Sequence, residues 1–129
     1  MANVLVVEDE PLLRETIVDM IKITTSKLVP ALEEILEANN GQEALEVFRT
    51  NKDKISIIFT DINMNPVDGY ELVRILREKE NYKGIVFYMS ACSASDCEKA
   101  EMTYRIDKPV GIKTIKEMLL KIGFSYAPV

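Results

Sequence analysis

The stretch that decides the fold is Ile55-Ser56-Ile57-Ile58-Phe59-Thr60-Asp61, a short apolar run that ends in a single acid. Continuous apolar runs of this length, rich in β-branched residues, are typical of strands buried on both faces of a parallel sheet. A second run, Val4-Leu5-Val6-Val7, ends in Glu8-Asp9-Glu10, and Pro11 then suits the first turn of a helix. The sequence therefore predicts two buried strands that each lead directly into acidic residues.

Outward from these two runs, strand-like and helix-like segments alternate about five times. Further strands are predicted over residues 34–38, 85–89 and 104–106. Helices are predicted from residue 11, over residues 42–50 and 70–77, over part of 95–102, and over 112–122 with Gly123 as the cap. This alternation is typical of an α/β fold, in which helices cover both faces of a parallel sheet.

Length, charge and composition narrow the function classes. A chain of 129 residues fits one domain, and its net charge of −5 disfavours direct binding to nucleic acid. The chain begins with a strand-like run, without a basic segment and a long apolar one, so no signal peptide or membrane span is expected and the cytoplasm is the predicted location. Cys92 and Cys97 have no histidine to complete a zinc site, and the absence of histidine also excludes Ser-His-Asp catalysis.

Charged and polar residues stand at the carboxyl ends of four predicted strands. Glu8-Asp9 ends the first, Asp61 the third, Ser90 the fourth and Lys108 the fifth. In an open parallel sheet these ends lie along one edge, where ligands bind. Alone, each residue has a simpler explanation, such as an acid that favours a helix N-terminus or a solvated lysine. Together they predict one cleft that holds three carboxylates, a hydroxyl and an ammonium.

Such a cleft favours phosphoryl chemistry. Crowded carboxylates stay ionised only near a cation, and a ligand set of oxygens alone suits Mg²⁺. Asp61 is then an ionised nucleophile, since carboxylates form aspartyl phosphates. Lys108 would neutralise charge on the transferred group, and Ser90 would donate a hydrogen bond to it.

These residues resemble the motifs of the receiver domain of bacterial two-component response regulators. The resemblance extends over about 120 residues and rests on residues 4–11, on Thr60-Asp61-Ile62-Asn63-Met64 with Asp68-Gly69, on Ser90-Ala91 and on Lys108-Pro109. It implies a flavodoxin-like, doubly wound sheet of five parallel strands in the order 2-1-3-4-5. Residues 1–123 would form the receiver domain and residues 124–129 a short tail, giving a stand-alone receiver or relay intermediate.

The resemblance also implies roles for individual residues. Asp9 and Asp61 would bind Mg²⁺, or Mn²⁺ in its place, through their side chains, Asn63 through its backbone carbonyl and Glu8 mostly through water. Lys108 would pair first with Asp61 and then with the phosphate, and the Lys108-Pro109 bond would be cis. A histidine kinase or phosphotransfer protein would supply the phosphoryl group, and the switch would act on a downstream protein target.

Four departures from the family pattern limit these implications. Arg105 stands where the family usually has an aromatic switch residue, and Tyr104 lies one place earlier. The stretch from Ser90 to Lys108 is shorter than usual by about one helical turn. Residues 22–32 are longer by several residues and would extend the first helix, form a loop or provide a docking surface, and a tolerated surface insertion is the favoured explanation. The proline of Asn65-Pro66 comes one place late, which predicts a small shift of that loop.

Two other functions remain open on the sequence. One is a pseudo-receiver, which keeps the fold and binds partners without phosphorylation. The other is a phosphatase of the haloacid dehalogenase type, but Asn63 stands where that family has its general acid. A signalling receiver that is not a turnover enzyme is the predicted function.

Overall fold

The computed structural model describes residues 2–90 and 102–128. Its strands are β1 (Ala2–Val7), β2 (Leu28–Val29), β3 (Leu32–Ala38), β4 (Ile55–Asp61), β5 (Ile85–Ser90), β6 (Thr103–Asp107) and β7 (Ser125–Tyr126). Its helices within these residues are α1 (Pro11–Thr25), α2 (Gly41–Thr50), α3 (Gly69–Glu78) and α4 (Ile112–Lys121). The helix predicted within residues 95–102 lies almost wholly outside the described residues.

Five of the strands form one parallel sheet in the order β3-β1-β4-β5-β6. When the short β2 is left out of the numbering, this order is the predicted 2-1-3-4-5. The prediction of a flavodoxin-like, doubly wound α/β fold is therefore confirmed. The carboxyl ends of all five strands consequently share one edge of the sheet.

The core lies on both faces of the sheet because neighbouring residues of a strand point in opposite directions. Leu5 and Val7 pack with the buried sides of α2 and α3. Val4 and Val6 pack on the other face with α1 and α4. This double burial explains why most residues of β1 and β4 are apolar.

The helices that follow β3 and β4 begin at capping side chains. Asn40 accepts a hydrogen bond from the Glu43 N–H at 2.9 Å, and Asp68 accepts one from the Glu71 N–H at 2.8 Å. Each cap satisfies a backbone donor that the helix cannot pair internally. These caps fix where the loops at the carboxyl edge of the sheet end.

The region of residues 22–32 and the C-terminal residues meet in space. The helix α1 continues to Thr25, and β2 then pairs antiparallel with β7, with Leu28 opposite Tyr126. Gly123, with a φ of 116°, ends α4 as predicted and turns the chain toward β7. The sequence left the state of residues 124–129 open, and it placed the start of β3 at residue 34, two residues too late. Among the helices that the structure describes, none has both the length and the apolar composition needed to cross a bilayer.

Candidate functional site

Three carboxylates meet at the carboxyl edge of the sheet. β1 and β4 are neighbours with Val7 opposite Thr60, so the residues that follow Val7 lie beside Asp61. Glu8, Asp9 and Asp61 each offer an oxygen within 4.8 Å of the others. Glu8 is 1% exposed and Asp61 7%, whereas Asp9 is open to solvent. The cluster is thus mostly buried, with one acid on its open side.

Lys108 reaches this cluster from β6, which lies two strands away from β4. Its Nζ donates a hydrogen bond to Asp61 Oδ1 at 2.9 Å and a longer one to Glu8 Oε1 at 3.5 Å. The backbone N–H of Lys108 donates to the carbonyl of Ser90 at 2.8 Å, and the Lys108-Pro109 bond is cis. The lysine and the acids are therefore in one cleft.

The charges in this cleft are unbalanced, because three carboxylates face one ammonium. Burial, followed by a hydrogen bond that protonated Glu8 donates to Asp9 and by the charge of Asp61, raises the pKa of Glu8 to about 7, against the smaller opposing effects of the Glu10 N–H and Lys108. Burial alone would lower the pKa of Lys108, but its hydrogen bond with Asp61 and the negative charges of Asp61 and Glu8 raise it. A divalent cation beside the acids would restore the balance.

The two oxygens of Asp61 have different surroundings. Oδ1 accepts hydrogen bonds from Lys108 Nζ at 2.9 Å and from the Ile62 N–H at 2.8 Å. Within residues 2–90 and 102–128, no protein group donates a hydrogen bond to Oδ2. Lys108 and the Ile62 N–H thus hold Oδ1 in place.

Asn63 follows Asp61 by two residues, and Ser90 ends the strand beside β4. Asn63 is exposed, two residues beyond Asp61 in the loop between β4 and α3. Ser90 is buried at the end of β5, next to Met89, which pairs with Asp61. The roles of the Asn63 carbonyl as a ligand and of the Ser90 hydroxyl as a donor stay predictions.

The two predicted switch residues lie on opposite faces of β6. Tyr104 packs into the core between the sheet, α1 and α4, with its ring centroid 5.7 Å from that of Phe87. Arg105 points to the other face and forms an ion pair with Asp107 at 2.6 Å. Of these two residues, Arg105 and not Tyr104 thus lies on the same face of the sheet as Tyr88, the residue of β5 that pairs with Arg105.

Close packing behind the cluster depends on Gly69. Its N–H donates to the carbonyl of Ile62 at 2.8 Å, and a Cβ at this position would overlap the carbonyl oxygen of Asp61. The start of α3 therefore packs directly against the strand end that carries the acid.

Sequence reasoning missed Arg14, whose guanidinium lies against the backbone of the acidic turn. Nη1 donates to the carbonyl of Glu8 at 2.7 Å. The position of Arg14 in the sequence could have indicated this role. A cation in the first turn of a helix interacts unfavourably with the helix dipole, so such a residue is expected to have a contact that compensates.

The fold and the site together define the class of this protein, a doubly wound α/β domain with a candidate divalent-cation site at its strand ends. A sequence model of the response regulator receiver domain matches residues 4–120, so the chain belongs to that family. Receiver domains are signalling proteins of two-component systems, and this chain is one of them.

Known proteins similar to this chain agree with that assignment. It is 33% identical over 122 residues to the chemotaxis protein CheY1 of Helicobacter pylori, covering 91% of this chain and 93% of that protein. It is 31% identical over 122 residues to a chemotaxis protein CheY homolog of Campylobacter jejuni, covering 91% and 88%. A two-component response regulator of Cytophaga hutchinsonii, at 22% identity, has the same fold with a TM-score of 0.77, covering 95% of this chain and 96% of that one.

Proposed function

We propose that Asp61 is the phosphoacceptor of this receiver domain, that Mg²⁺ assists the transfer, and that phosphorylation changes which proteins the domain binds. The observation that carries the proposal is the contact of Lys108 Nζ with Asp61 Oδ1 at 2.9 Å inside a cluster of three carboxylates. An ammonium in this position can stabilise the negative charge of the Asp61 carboxylate before phosphorylation and that of the phosphoryl oxygens afterwards.

The residues of the cluster suit Mg²⁺. All the side-chain ligands offered are carboxyl oxygens, and three carboxyl groups face one ammonium, that of Lys108. Glu8, Asp9 and Asp61 would hold the ion, with the carbonyl of Asn63 as a further ligand, and Mn²⁺ would substitute. When bound, the ion supplies positive charge beside the phosphoryl oxygens.

The transfer itself is carried by Asp61. Oδ2 attacks phosphorus on a phosphohistidine, an O–P bond forms, the P–N bond breaks, and its electron pair returns to the imidazole nitrogen, which is then protonated from solvent. These 129 residues contain no histidine, so the donor belongs to a histidine kinase or phosphotransfer protein. Lys108 and the hydroxyl of Ser90 bind the oxygens of the arriving group.

An apolar rim beside the cluster suits such a donor protein. Leu12, in the first turn of α1, is 73% exposed, and Ile112, the first residue of α4, is also exposed. Both helices begin at the carboxyl edge of the sheet, which is also the edge that carries Asp61. A partner that covers this rim places its histidine above the acids. The cytoplasm as the location of the protein stays a prediction.

The charge added by phosphorylation is large enough to work as a switch. The phosphoryl group brings about −1.5 to −2 charges, and each charge-assisted hydrogen bond to it contributes roughly 1.5–3 kcal/mol. Reversing a two-state population from 1:99 to 99:1 needs about 5.5 kcal/mol, which Lys108 and Ser90 with one further bond would supply. The loops after β5 and β6 carry these two residues and would move with them.

Incubation with Mg²⁺ and a small phosphodonor tests the proposal by intact-protein mass. We expect one added phosphoryl group on the wild type, none on Asp61→Asn, and unchanged labelling of Asp19→Asn, which removes an exposed acid from α1. Label that persists in Asp61→Asn would contradict the proposal. Absence of label with any donor would indicate a pseudo-receiver, and continuous release of phosphate from many substrates would indicate a phosphatase.

A further inference from the structure

Arg14 connects the turn Glu8-Asp9-Glu10 to the end of β3, a strand that contributes no residue to the acid cluster. Its Nη1 donates to the Glu8 carbonyl at 2.7 Å and to Asn39 Oδ1 at 3.1 Å, and its Nε donates to Glu37 Oε1 at 3.3 Å. Glu37 lies near the end of β3, and Asn39 lies just after that strand. The arginine therefore spans three separate oxygens on two segments of the chain.

The position of Arg14 in α1 is unfavourable by local rules. The first turn of a helix carries partial positive charge from its unpaired N–H groups, so acids are preferred there and cations are disfavoured. No acid occupies the first turn of α1, and Arg14 follows Pro11 by only three residues. An arginine that contradicts the local preference yet is only 19% exposed in its side chain owes its place to its contacts.

Those contacts fix the peptide that joins Glu8 to Asp9. The N–H of Glu8 donates to the carbonyl of Ala38 at 3.1 Å, and its carbonyl accepts from Arg14. Both backbone polar groups of Glu8 are thus held, the N–H by β3 itself and the carbonyl by Arg14 of α1, which also contacts the end of β3. Asp9 has no such packing, because its side chain is exposed, and its direction depends on the peptide before it.

We infer that Arg14 is a positioning residue that aims the Asp9 carboxylate into the acid cluster by holding the Glu8 carbonyl against the end of β3. The inference rests on the proposed Mg²⁺ site. Removing hydrogen bonds that orient metal ligands typically lowers metal affinity by about 10- to 100-fold. The charge of Arg14 acts in the opposite direction, since a cation near the cluster repels Mg²⁺.

These opposing signs make the inference testable by calorimetric titration with Mg²⁺ alone. We expect Arg14→Met, which keeps an unbranched apolar stem but removes the charge and the donors, to bind Mg²⁺ about 10- to 100-fold more weakly. Arg14→Lys should also bind more weakly, because one ammonium cannot reproduce the guanidinium fork. The matched control is Arg74→Met, which removes an exposed arginine whose ion pairs, with Glu71 and Glu78, are on its own helix, and which should bind as the wild type does.

A second readout needs no metal. Amide hydrogen exchange at Asp9 and Glu10 should become faster in Arg14→Met, while exchange at Leu45 in α2 stays unchanged. Tighter Mg²⁺ binding by Arg14→Met would overturn the inference in favour of a purely electrostatic effect. A lower urea midpoint with unchanged Mg²⁺ affinity would overturn it in favour of a purely structural role.

The wild type separates this inference from the proposed function. A wild-type protein that binds no Mg²⁺ would overturn both. A wild type that binds Mg²⁺, with Arg14→Met and Arg14→Lys binding equally well, would overturn the inference alone. If Arg14→Met does not fold, Arg14→Lys decides the same question.

Discussion

Replacing Glu8 with glutamine should change how the stability of the protein depends on pH. Glu8 is 1% exposed, and burial, the hydrogen bond that its protonated form donates to Asp9 and the charge of Asp61 raise its pKa from 4.5 to about 7. The folded state therefore holds this proton more tightly than the unfolded state does. Between pH 4.5 and about pH 7, the free energy of unfolding falls as pH rises, and the loss is complete above pH 7.

The size of the effect follows from the two pKa values. One pKa unit corresponds to about 1.4 kcal/mol, so a rise from 4.5 to about 7 corresponds to roughly 3 kcal/mol. In buffer with EDTA, the wild type should lose up to that amount of stability between pH 4.5 and pH 8 relative to Glu8→Gln. The variant has no proton to release at this position, so its curve should lack this component.

Urea denaturation followed by circular dichroism measures this difference, since the chain has no tryptophan to report by fluorescence. Glu46→Gln is the control, because Glu46 is exposed on α2 and its removal should leave the wild-type pH dependence in place. Parallel curves for the wild type and Glu8→Gln would refute the reasoning, as would a wild type that gains stability over Glu8→Gln as pH rises. Added Mg²⁺ should reduce the difference, because the cation favours the ionised carboxylate.

Two further predictions concern stability away from the cleft. Asn3 is buried in β1, and its Oδ1 accepts no hydrogen bond from any group in the described part of the chain. Asn3→Val should therefore raise the free energy of unfolding, measured by urea denaturation, by about 1–2 kcal/mol, and Asn3→Asp should lower it. An Asn3→Val variant less stable than the wild type would contradict this. Phe124 is 8% exposed and packs in the core beside α4, so Phe124→Ala should lower the free energy of unfolding by about 3–5 kcal/mol. Tyr126 lies in the same tail but is 60% exposed, so Tyr126→Ala should lower it far less. Equal losses in the two variants would argue against a packed tail.

The strands and the acid cluster were predictable because their signals are local. The run from Ile55 to Thr60 has four apolar residues out of six, three of them isoleucine, as is typical of a strand buried on both faces, and Asp61 follows it directly. Parallel topology then places all the strand ends on one edge, so the meeting of Asp61 with Lys108, 47 residues later, follows from fold class alone.

What the sequence could not provide depends on contacts between distant segments. The pairing of β2 with β7 joins two-residue strands near opposite ends of the chain, and neither has a pattern of its own. The contacts of Arg14 with Asn39 and Glu37 likewise cross between elements. Predicting which face of the sheet Tyr104 and Arg105 occupy would have required the register of β6 against β5, because a shift by one residue exchanges the faces of the two side chains.

The pairing of β7 with β2 has a practical consequence for anyone who attaches a reporter to this protein. β2 lies between the end of α1 and the start of β3, at the pole of the domain where the parallel strands begin. Residues 127–128 consequently lie at the pole opposite Glu8, Asp9 and Asp61. A fluorophore or affinity handle joined there through a short linker stays clear of the acidic pole, whereas the same handle joined near the loops after β1 or β6 would cover it.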